Sequence, residues 1–395
     1  MPTVRERAGC PLACTDLSGE DDPGVRARER LVRFGETGIG LTESPLIRAE
    51  LLRLAEEEHV LTVAIHHIAA DGWSLDVLLD ELTTLYEAYV AGRPSPLADL
   101  PVQYSDHVAW QQDVLTTDAM ARHMDHWRGL LEGAPRTIDL PTDRLRPARP
   151  SNAGGLVGLT IGAGTADGLR VLGEDRRATP FSVLAAVYGA LLHRLSGQDD
   201  VAFGYFAGNR DRPEIEGLIG LFVNTLVLRS RVFEGDSFDA LLARVRGTLL
   251  ESDRHRDLPF ERLVDELELD RDLSLHPLFQ VALTYQTVGT PGAGLRAEAA
   301  GLGFSMEDSV GLTAKFDLTL RVYDEGPGRC MQCEFEYATD LFDRETVEGF
   351  ARHLGTLAEA VVAEPGSRVT DLPLLPEDGS RAPARPVDVR AERRR

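Results

Sequence analysis

Apolar positions along the chain change period at one short run. Val60-Leu61-Thr62-Val63-Ala64-Ile65 is apolar, rich in β-branched residues and free of Gly and Pro, which predicts a buried strand. Beyond it Leu75, Leu78, Leu79, Leu82, Leu85, Tyr86 and Tyr89 recur at steps of three and four, one face of a long helix that Gly92 and Pro94 end. His66-His67-Ile68-Ala69-Ala70-Asp71-Gly72-Trp73-Ser74 joins the two. Two imidazoles, a carboxylate and a glycine therefore sit where a strand gives way to a helix, with rigid elements on both sides.

The same reading predicts an apolar run over 45–54, helix over 97–133 with Trp110 and Trp127 as anchors, and a Pro- and Arg-rich crossover over 135–150. Strands follow at 155–161, 201–206, 278–286, 315–323 and 329–337. Thr179-Pro180 opens a helix that Gly197 closes, Ser237 caps another over 238–253, and a last helix covers 344–363. Residues 1–33 are polar without clear periodicity and carry a turn-like stretch at 17–24. The Pro- and Arg-rich tail, 377–395, has nothing to bury and is expected to be disordered.

Candidate chemistry concentrates in the junction. Histidine, with an unperturbed pKa of about 6.5, takes and returns a proton near neutral pH. Successive strand residues point to opposite faces, so one of His66 and His67 is expected to face the site and the other to pack behind it. Asp71 can fix an imidazole tautomer or pair with an arginine, and Gly72 lets a substrate approach the backbone. Neither cysteine pair, Cys10 with Cys14 or Cys330 with Cys333, is read as a metal site; on a strand the latter two would face opposite ways.

Composition narrows the field. A chain of 395 residues, 43% hydrophobic, is long enough for two lobes with their own cores. With 42 basic and 64 acidic residues its formal charge is −22, which disfavours nucleic acid as a partner. The N-terminus lacks the apolar stretch of a signal peptide and no run approaches a membrane span, so a soluble, cytoplasmic protein with no membrane partner is expected.

The His-His-x-x-x-Asp-Gly run followed by Trp-Ser resembles the signature of condensation domains of nonribosomal peptide synthetases, and four more motifs of that family follow in order. Tyr104-Ser105-Asp106-His107-Val108-Ala109-Trp110 resembles Tyr-x-Asp-Tyr-Ala-x-Trp, with His107 in place of the tyrosine. Gly220-Leu221-Phe222-Val223-Asn224-Thr225 matches Gly-x-Phe-Val-Asn-Thr. His255-Arg256-Asp257-Leu258-Pro259-Phe260-Glu261 and 271–280 resemble the motifs His-Gln-Asp-Tyr-Pro-Phe-Glu and Arg-Asp-x-Ser-x-x-Pro-Leu-Phe-Gln. Two motifs that precede these in the family are not found, so the chain is expected to start inside the first lobe.

The resemblance implies an α/β fold of two chloramphenicol-acetyltransferase-like lobes in a V-shaped pseudo-dimer, the first N-terminally truncated. The lobes are placed at 1–150 and 151–376. It implies amide-bond formation between a carrier-bound acyl or peptidyl thioester and a carrier-bound aminoacyl amine, an acyltransferase reaction. Donor and acceptor peptidyl carrier proteins and other synthetase domains are the implied partners. The resemblance implies no cofactor bound by the domain itself, the phosphopantetheine arms coming with the carriers.

His67 is the expected base or amine-orienting group, with His66, Asp71 and Gly72 as further catalytic candidates and Trp73 and Ser74 as substrate contacts. Asn224 is either a buried amide satisfying backbone groups at a strand bend or a contact to the substrate or its pantetheine arm. In family members an arginine from the missing segment can pair with the aspartate corresponding to Asp71; here Arg210 and Arg229 are the candidates. His255, His276 and Phe260 are expected to build the floor of the second lobe. Three other readings stand beside condensation: epimerisation, acyl transfer to a soluble amine or alcohol, and a non-catalytic module that recruits carriers or tailoring enzymes. Leu226-Val227-Leu228-Arg229 and His276-Pro277-Leu278-Phe279-Gln280 lean toward the subtype joining two L-configured units.

Overall fold

A computed structural model describes residues 9–10, 12–42, 45–267, 272–287, 296–299, 301–305 and 313–375. Two compact units emerge, the first from the described parts of Met1–Tyr104, Arg210–Phe222 and Gly294–Leu312, the second from the rest. The expected tail at 377–395 lies outside the described residues.

In the first unit β1 (Leu12–Asp16) runs parallel to β2 (Ile47–Arg53), which pairs antiparallel with β3 (His59–Ile65), Leu51 opposite Leu61. Between β1 and β2 lies α1 (Pro23–Glu36), begun by Asp22, whose side chain accepts the Val25 N–H at 3.0 Å, with Pro23 at the first helical position. Both β1 and α1 fall where the hydrophobic pattern predicted no element. The reason is physical: α1 buries only Ala27, so its apolar stripe is too narrow to show as a period, and β1 is short and largely exposed. Leu17, Ala27 and Leu52 form the small core beneath them. Glu50 is buried beside it, where Arg30 Nε donates to its carboxylate at 3.1 Å and the Thr15 hydroxyl at 3.2 Å. After a single 3-10 turn, His67–Ala69, α2 (Gly72–Val90) has the bounds its spacing predicted, but it buries only Ser74, Asp76 and Ala88 and leaves Leu75, Tyr86 and Tyr89 exposed, and β3, expected to be buried, exposes Leu61 and Val63.

The chain then passes through α3 (Tyr104–Val114) and α4 (Thr117–Leu131) to the second unit's sheet. In chain order its elements are β4 (Gly154–Ile161), α5 (Ala163–Asp175), α6 (Pro180–Ser196) and β5 (Asp200–Ala207). A short α7 (Pro213–Glu216), part of the first unit, precedes β6 (Asn224–Arg231), α8 (Phe238–Asp253), α9 (Phe260–Glu266) and β7 (Val281–Thr287). The β8 (Arg296–Ala299) and β9 (Leu302–Ser305) hairpin returns to the first unit, where Phe304 meets Tyr86 of α2 edge to face at 6.2 Å. Finally β10 (Leu318–Asp324), β11 (Met331–Ala338) and α10 (Arg344–Ala363) complete the second unit.

The second unit's mixed sheet has the order β4-β11-β10-β7-β5-β6. Its core is the larger one: α6 is buried from Ser182 to His193, and Trp127, Phe203, Phe238 and Phe335 are almost wholly enclosed. The caps of α6 are those expected, Thr179 accepting the Ser182 N–H and Gly197 left-handed at φ 71°. β7 starts later than expected because Leu278 adopts φ 71°, a conformation no strand continues through.

The unit boundary differs from the predicted break at 150. Trp127 and Leu140 lie in the core of the second unit, while 210–222 and 294–312 return to the first. Burial of Trp127, not chain order, decides where 105–150 belongs. Cys333 is buried in β11, which pushes its thiol pKa up, and Cys330 lies just outside the strand. Among the described residues no group able to hold a metal includes a cysteine. No described helix is long and apolar enough to cross a membrane.

Candidate active site

β3 ends at Ile65, before the two histidines. The His66 N–H still reaches the Leu46 carbonyl at 3.0 Å, and its Nδ1 then accepts the Ile68 N–H at 3.1 Å, capping the 3-10 turn. It is this turn, rather than the alternation of a continuing strand, that sends the two rings apart. His67 Nδ1 lies 2.8 Å from the Ala70 carbonyl. A carbonyl can only accept, so Nδ1 carries the proton and the neutral ring keeps its lone pair on Nε2. His67 is exposed and His66 half-buried.

Behind the turn lies a buried network. Asp71 caps α2, its Oδ1 accepting the Ser74 N–H at 3.0 Å, while Oδ2 accepts the Phe222 N–H at 3.0 Å. Arg210 Nη2 donates to Asp71 Oδ1 at 3.0 Å and to the Ser74 hydroxyl at 2.9 Å. Its Nη1 donates to the carbonyls of Ile215 and Leu218 at 2.9 and 2.8 Å. The Ser74 hydroxyl lies 2.8 Å from both Asp71 Oδ1 and the Gly220 carbonyl, and accepts the Gly220 N–H at 3.0 Å. Asp71, Ser74 and Arg210 are 5%, 0% and 8% exposed. Burial alone would raise the Asp71 pKa, but the bonds from Ser74 and Phe222, with the Arg210 charge, hold it below the usual carboxylate range.

Of the two arginines named as partners for Asp71, the structure selects Arg210. Arg229 instead pairs with Asp200 at 2.6 Å and donates to the carbonyls of Leu130 and Glu132, all in the second unit. Arg210 stacks over the Phe222 ring at 4.0 Å, and the Tyr104 hydroxyl donates to the Leu221 carbonyl at 2.8 Å. Gly220 is required here, since a Cβ would come within 2.3 Å of the Tyr104 ring. The 210–222 segment is thus clamped to the start of α2.

This arrangement revises three sequence expectations. Asp71 does not set the tautomer of His67; the Ala70 carbonyl does that, and Asp71 is a positioning group with both oxygens engaged. Ser74 is fully buried and belongs to the same network, so it is not a substrate contact. Trp73 donates its indole N–H to the Glu216 carbonyl at 2.9 Å, which pins α7 and leaves only the ring for a substrate. At Gly72 nothing lies within 4 Å of where a Cβ would be, so there is open space beside the first turn of α2.

A family model for the condensation domain matches residues 3–382. The chain belongs to the condensation-domain family. This condensation domain is 40% identical to one component of the linear gramicidin synthase of Brevibacillus parabrevis over 359 residues, 90% of the chain and 4% of that protein. It is 40% identical to the chondramide synthase of Chondromyces crocatus over 377 residues, covering 95% and 10%. With the phosphinothricin tripeptide synthetase PhsC of Streptomyces viridochromogenes it shares 38% over 376 residues, covering 93% and 34%. The chain therefore spans about a third or less of the length of these curated relatives. Among solved structures, the X-domain from teicoplanin biosynthesis superposes with a TM-score of 0.85 at 32% identity, covering 94% of this chain and 83% of that one. The first condensation domain of the calcium-dependent antibiotic synthetase gives 0.71 at 24% identity, covering 95% and 83%, a likeness of fold. The mixed α/β architecture is that of the chloramphenicol-acetyltransferase-like superfamily.

Elsewhere in the condensation domain the remaining candidate is resolved toward structure. Asn224, at the start of β6, donates from Nδ2 to the carbonyls of Arg256 and Leu258, each at 2.7 Å, and its Oδ1 accepts the Phe260 N–H at 3.1 Å. The amide is committed to backbone, which favours the structural one of its two readings and not the substrate contact. His276 packs against Phe260, Phe279 and Phe316, as a floor residue should. Sequence reading passed over Gly220, Phe222 and Tyr104 as site residues, although all three stand inside the family motifs. What marks them is contact with Arg210 and Asp71, which chain order does not display.

Proposed function

We propose that this condensation domain forms an amide bond between a carrier-bound acyl or peptidyl thioester and the amine of a carrier-bound aminoacyl thioester. The carrying observation is the exposed His67 ring, whose Nδ1–H is committed to the Ala70 carbonyl so that Nε2 is the free base. The amine nitrogen attacks the thioester carbonyl carbon, the C–N bond forms and the C–S bond breaks. Nε2 takes or orients the amine proton, which returns to the departing pantetheine thiolate. Holding both thioesters together contributes alongside the base by making the encounter local. The Ser74 N–H at the start of α2 is taken by Asp71, and the N–H groups of Gly72 and Trp73, which lack intrahelical acceptors, are the ones assigned to the developing oxyanion.

His66 caps the turn and Asp71, Ser74 and Arg210 hold it; these act through position. The phosphopantetheine arms are part of the substrates and arrive with donor and acceptor carriers, which together with other synthetase domains are the proposed partners. The proposed setting is the cytoplasm.

The test loads both carriers, incubates them with wild-type or His67→Ala protein, and reads the amide product by mass spectrometry. His67→Ala is expected to lose about 10²-fold or more in rate, with an unchanged melting temperature because the ring is exposed. Condensation at the wild-type rate would overturn the role. Product formed without an acceptor carrier would move the reading to acyl transfer onto a soluble acceptor. A D-aminoacyl carrier formed from one L-aminoacyl carrier alone would mean epimerisation, and carrier binding without turnover would mean a recruiting module.

A further inference from the structure

The second unit gathers a separate set of imidazoles that amide formation does not use. His123 and His126 lie one turn apart on α4. Glu251 is on the last turn of α8, and His255 follows it four residues later. The rings of His126 and His255 stack with centroids 4.1 Å apart and planes 10° from parallel. One ligand atom from each of His126, Glu251 and His255 falls within 4.8 Å of the others.

Among the described residues, the hydrogen bonding of these groups leaves one imidazole nitrogen unsatisfied. His123 Nδ1 lies 3.1 Å from His255 Nδ1, a distance at which one ring donates and the other accepts. With His255 as the donor, its lone pair moves to Nε2, which faces Glu251 Oε1 at 3.7 Å. His126 Nε2 is buried and has no hydrogen-bond partner among the described residues. A buried polar atom without a partner is destabilising, and ring stacking does not satisfy it.

Two imidazole nitrogens and one carboxylate oxygen are the ligands of three-coordinate zinc sites that keep a fourth position for water. Imidazole favours zinc, copper and nickel over magnesium and calcium, which select oxygen. With Zn–N distances of about 2.0–2.1 Å, tetrahedral ligands lie about 3.4 Å apart, so side-chain rotations have to draw the three atoms together by roughly an ångström. Glu251 holds Arg254 Nη1 on Oε2 at 2.7 Å and turns Oε1 toward His255, and its half-exposed side marks where an ion enters.

We propose that His126, Glu251 and His255 form a binding site for one divalent ion of the zinc class in the second unit, with His123 orienting His255 through the Nδ1 contact. The arrangement follows the rule that a ligating histidine hands its other ring nitrogen to a partner that fixes its tautomer.

The test uses tag-free protein stripped by a chelator, titrated with Zn²⁺ by calorimetry and with Co²⁺ by visible absorption. One ion per chain is expected, with a rise in melting temperature on Zn²⁺ addition that the chelator reverses. His126→Phe, which keeps a flat ring in the stack, and Glu251→Gln are each expected to weaken binding by well over about tenfold, and His123→Asn by about tenfold. His67→Ala should bind as the wild type does. The proposal is overturned if no saturable binding appears, if His126→Phe and Glu251→Gln both bind as the wild type, or if His67→Ala abolishes binding. Should His126→Phe fail to fold, Glu251→Gln decides alone, since its half-exposed side chain is not needed for the core.

Discussion

Each unit ties a distant segment back to the element that carries a motif, and the two ties use different chemistry. In the first unit 210–222 is held to the start of α2 by a buried carboxylate, guanidinium and hydroxyl that share their hydrogen bonds. In the second, the segment from Arg256 to Phe260 is held to the start of β6 by the single neutral amide of Asn224. The charged tie is mutually dependent: remove the cation and an anion is left buried without compensation. A half-buried neutral amide leaves groups that water can reach. The outcome for histidine differs too, for the first tie backs a turn that leaves His67 exposed, while the second adjoins His255, enclosed against His123 and His126.

The largest effect is expected at Arg210. Arg210→Ala should cost about 3–5 kcal/mol in the first unit, read from urea unfolding and from faster hydrogen exchange at the start of α2. Arg210→Lys should recover little, because an ammonium cannot serve Asp71 and the carbonyls of Ile215 and Leu218 together. The same tie carries a pH signature. Asp71 binds its proton more weakly folded than unfolded, so its stabilisation is complete above the usual carboxylate range and is lost as pH falls through the lowered folded value. Asp71→Asn should flatten that acid limb. An unchanged midpoint in Arg210→Ala would erase the contrast between the two ties.

A smaller effect is expected at Gly220. Gly220→Ala places a methyl against the Tyr104 ring, and the displaced ring strains its bond to the Leu221 carbonyl. A loss of about 1–3 kcal/mol should follow, with a proportional fall in condensation only where the first unit is partly unfolded. Asn224→Ala should be mildest, about 1–2 kcal/mol, measured by thermal unfolding of the second unit. Its KM for the loaded carriers should stay at the wild-type value. A raised KM without loss of stability would return Asn224 to the substrate and remove one side of the comparison.

Much of this was legible before any coordinates. The periods of β3 and α2 located the junction to within a residue, and the caps of α6 and bounds of α10 follow from Thr179-Pro180, Gly197 and the apolar spacing of the last helix. Elements with little to bury escaped: α1 hides one alanine, and β1 is a short exposed strand joined to β2 by backbone bonds that no side-chain pattern announces. At the site, residue type singles out the histidines of the junction as candidates, while Asp71, Ser74 and Asn224 have the same polar character whether they face a substrate or a carbonyl.

What the sequence determined by itself is the strand-to-helix junction, the main buried strands and helices of the second unit, the family motifs and the presence of a histidine where a strand meets a helix. Those depend on neighbours a few residues apart, and hydrophobic period and capping are local properties. Tertiary structure alone decided that Arg210 rather than Arg229 answers Asp71, that 105–150 joins the second core, and that Ser74 and Asn224 serve backbone groups. Each of these is settled by which groups meet after the chain has crossed between units, where burial makes one partner obligatory and leaves the other elsewhere.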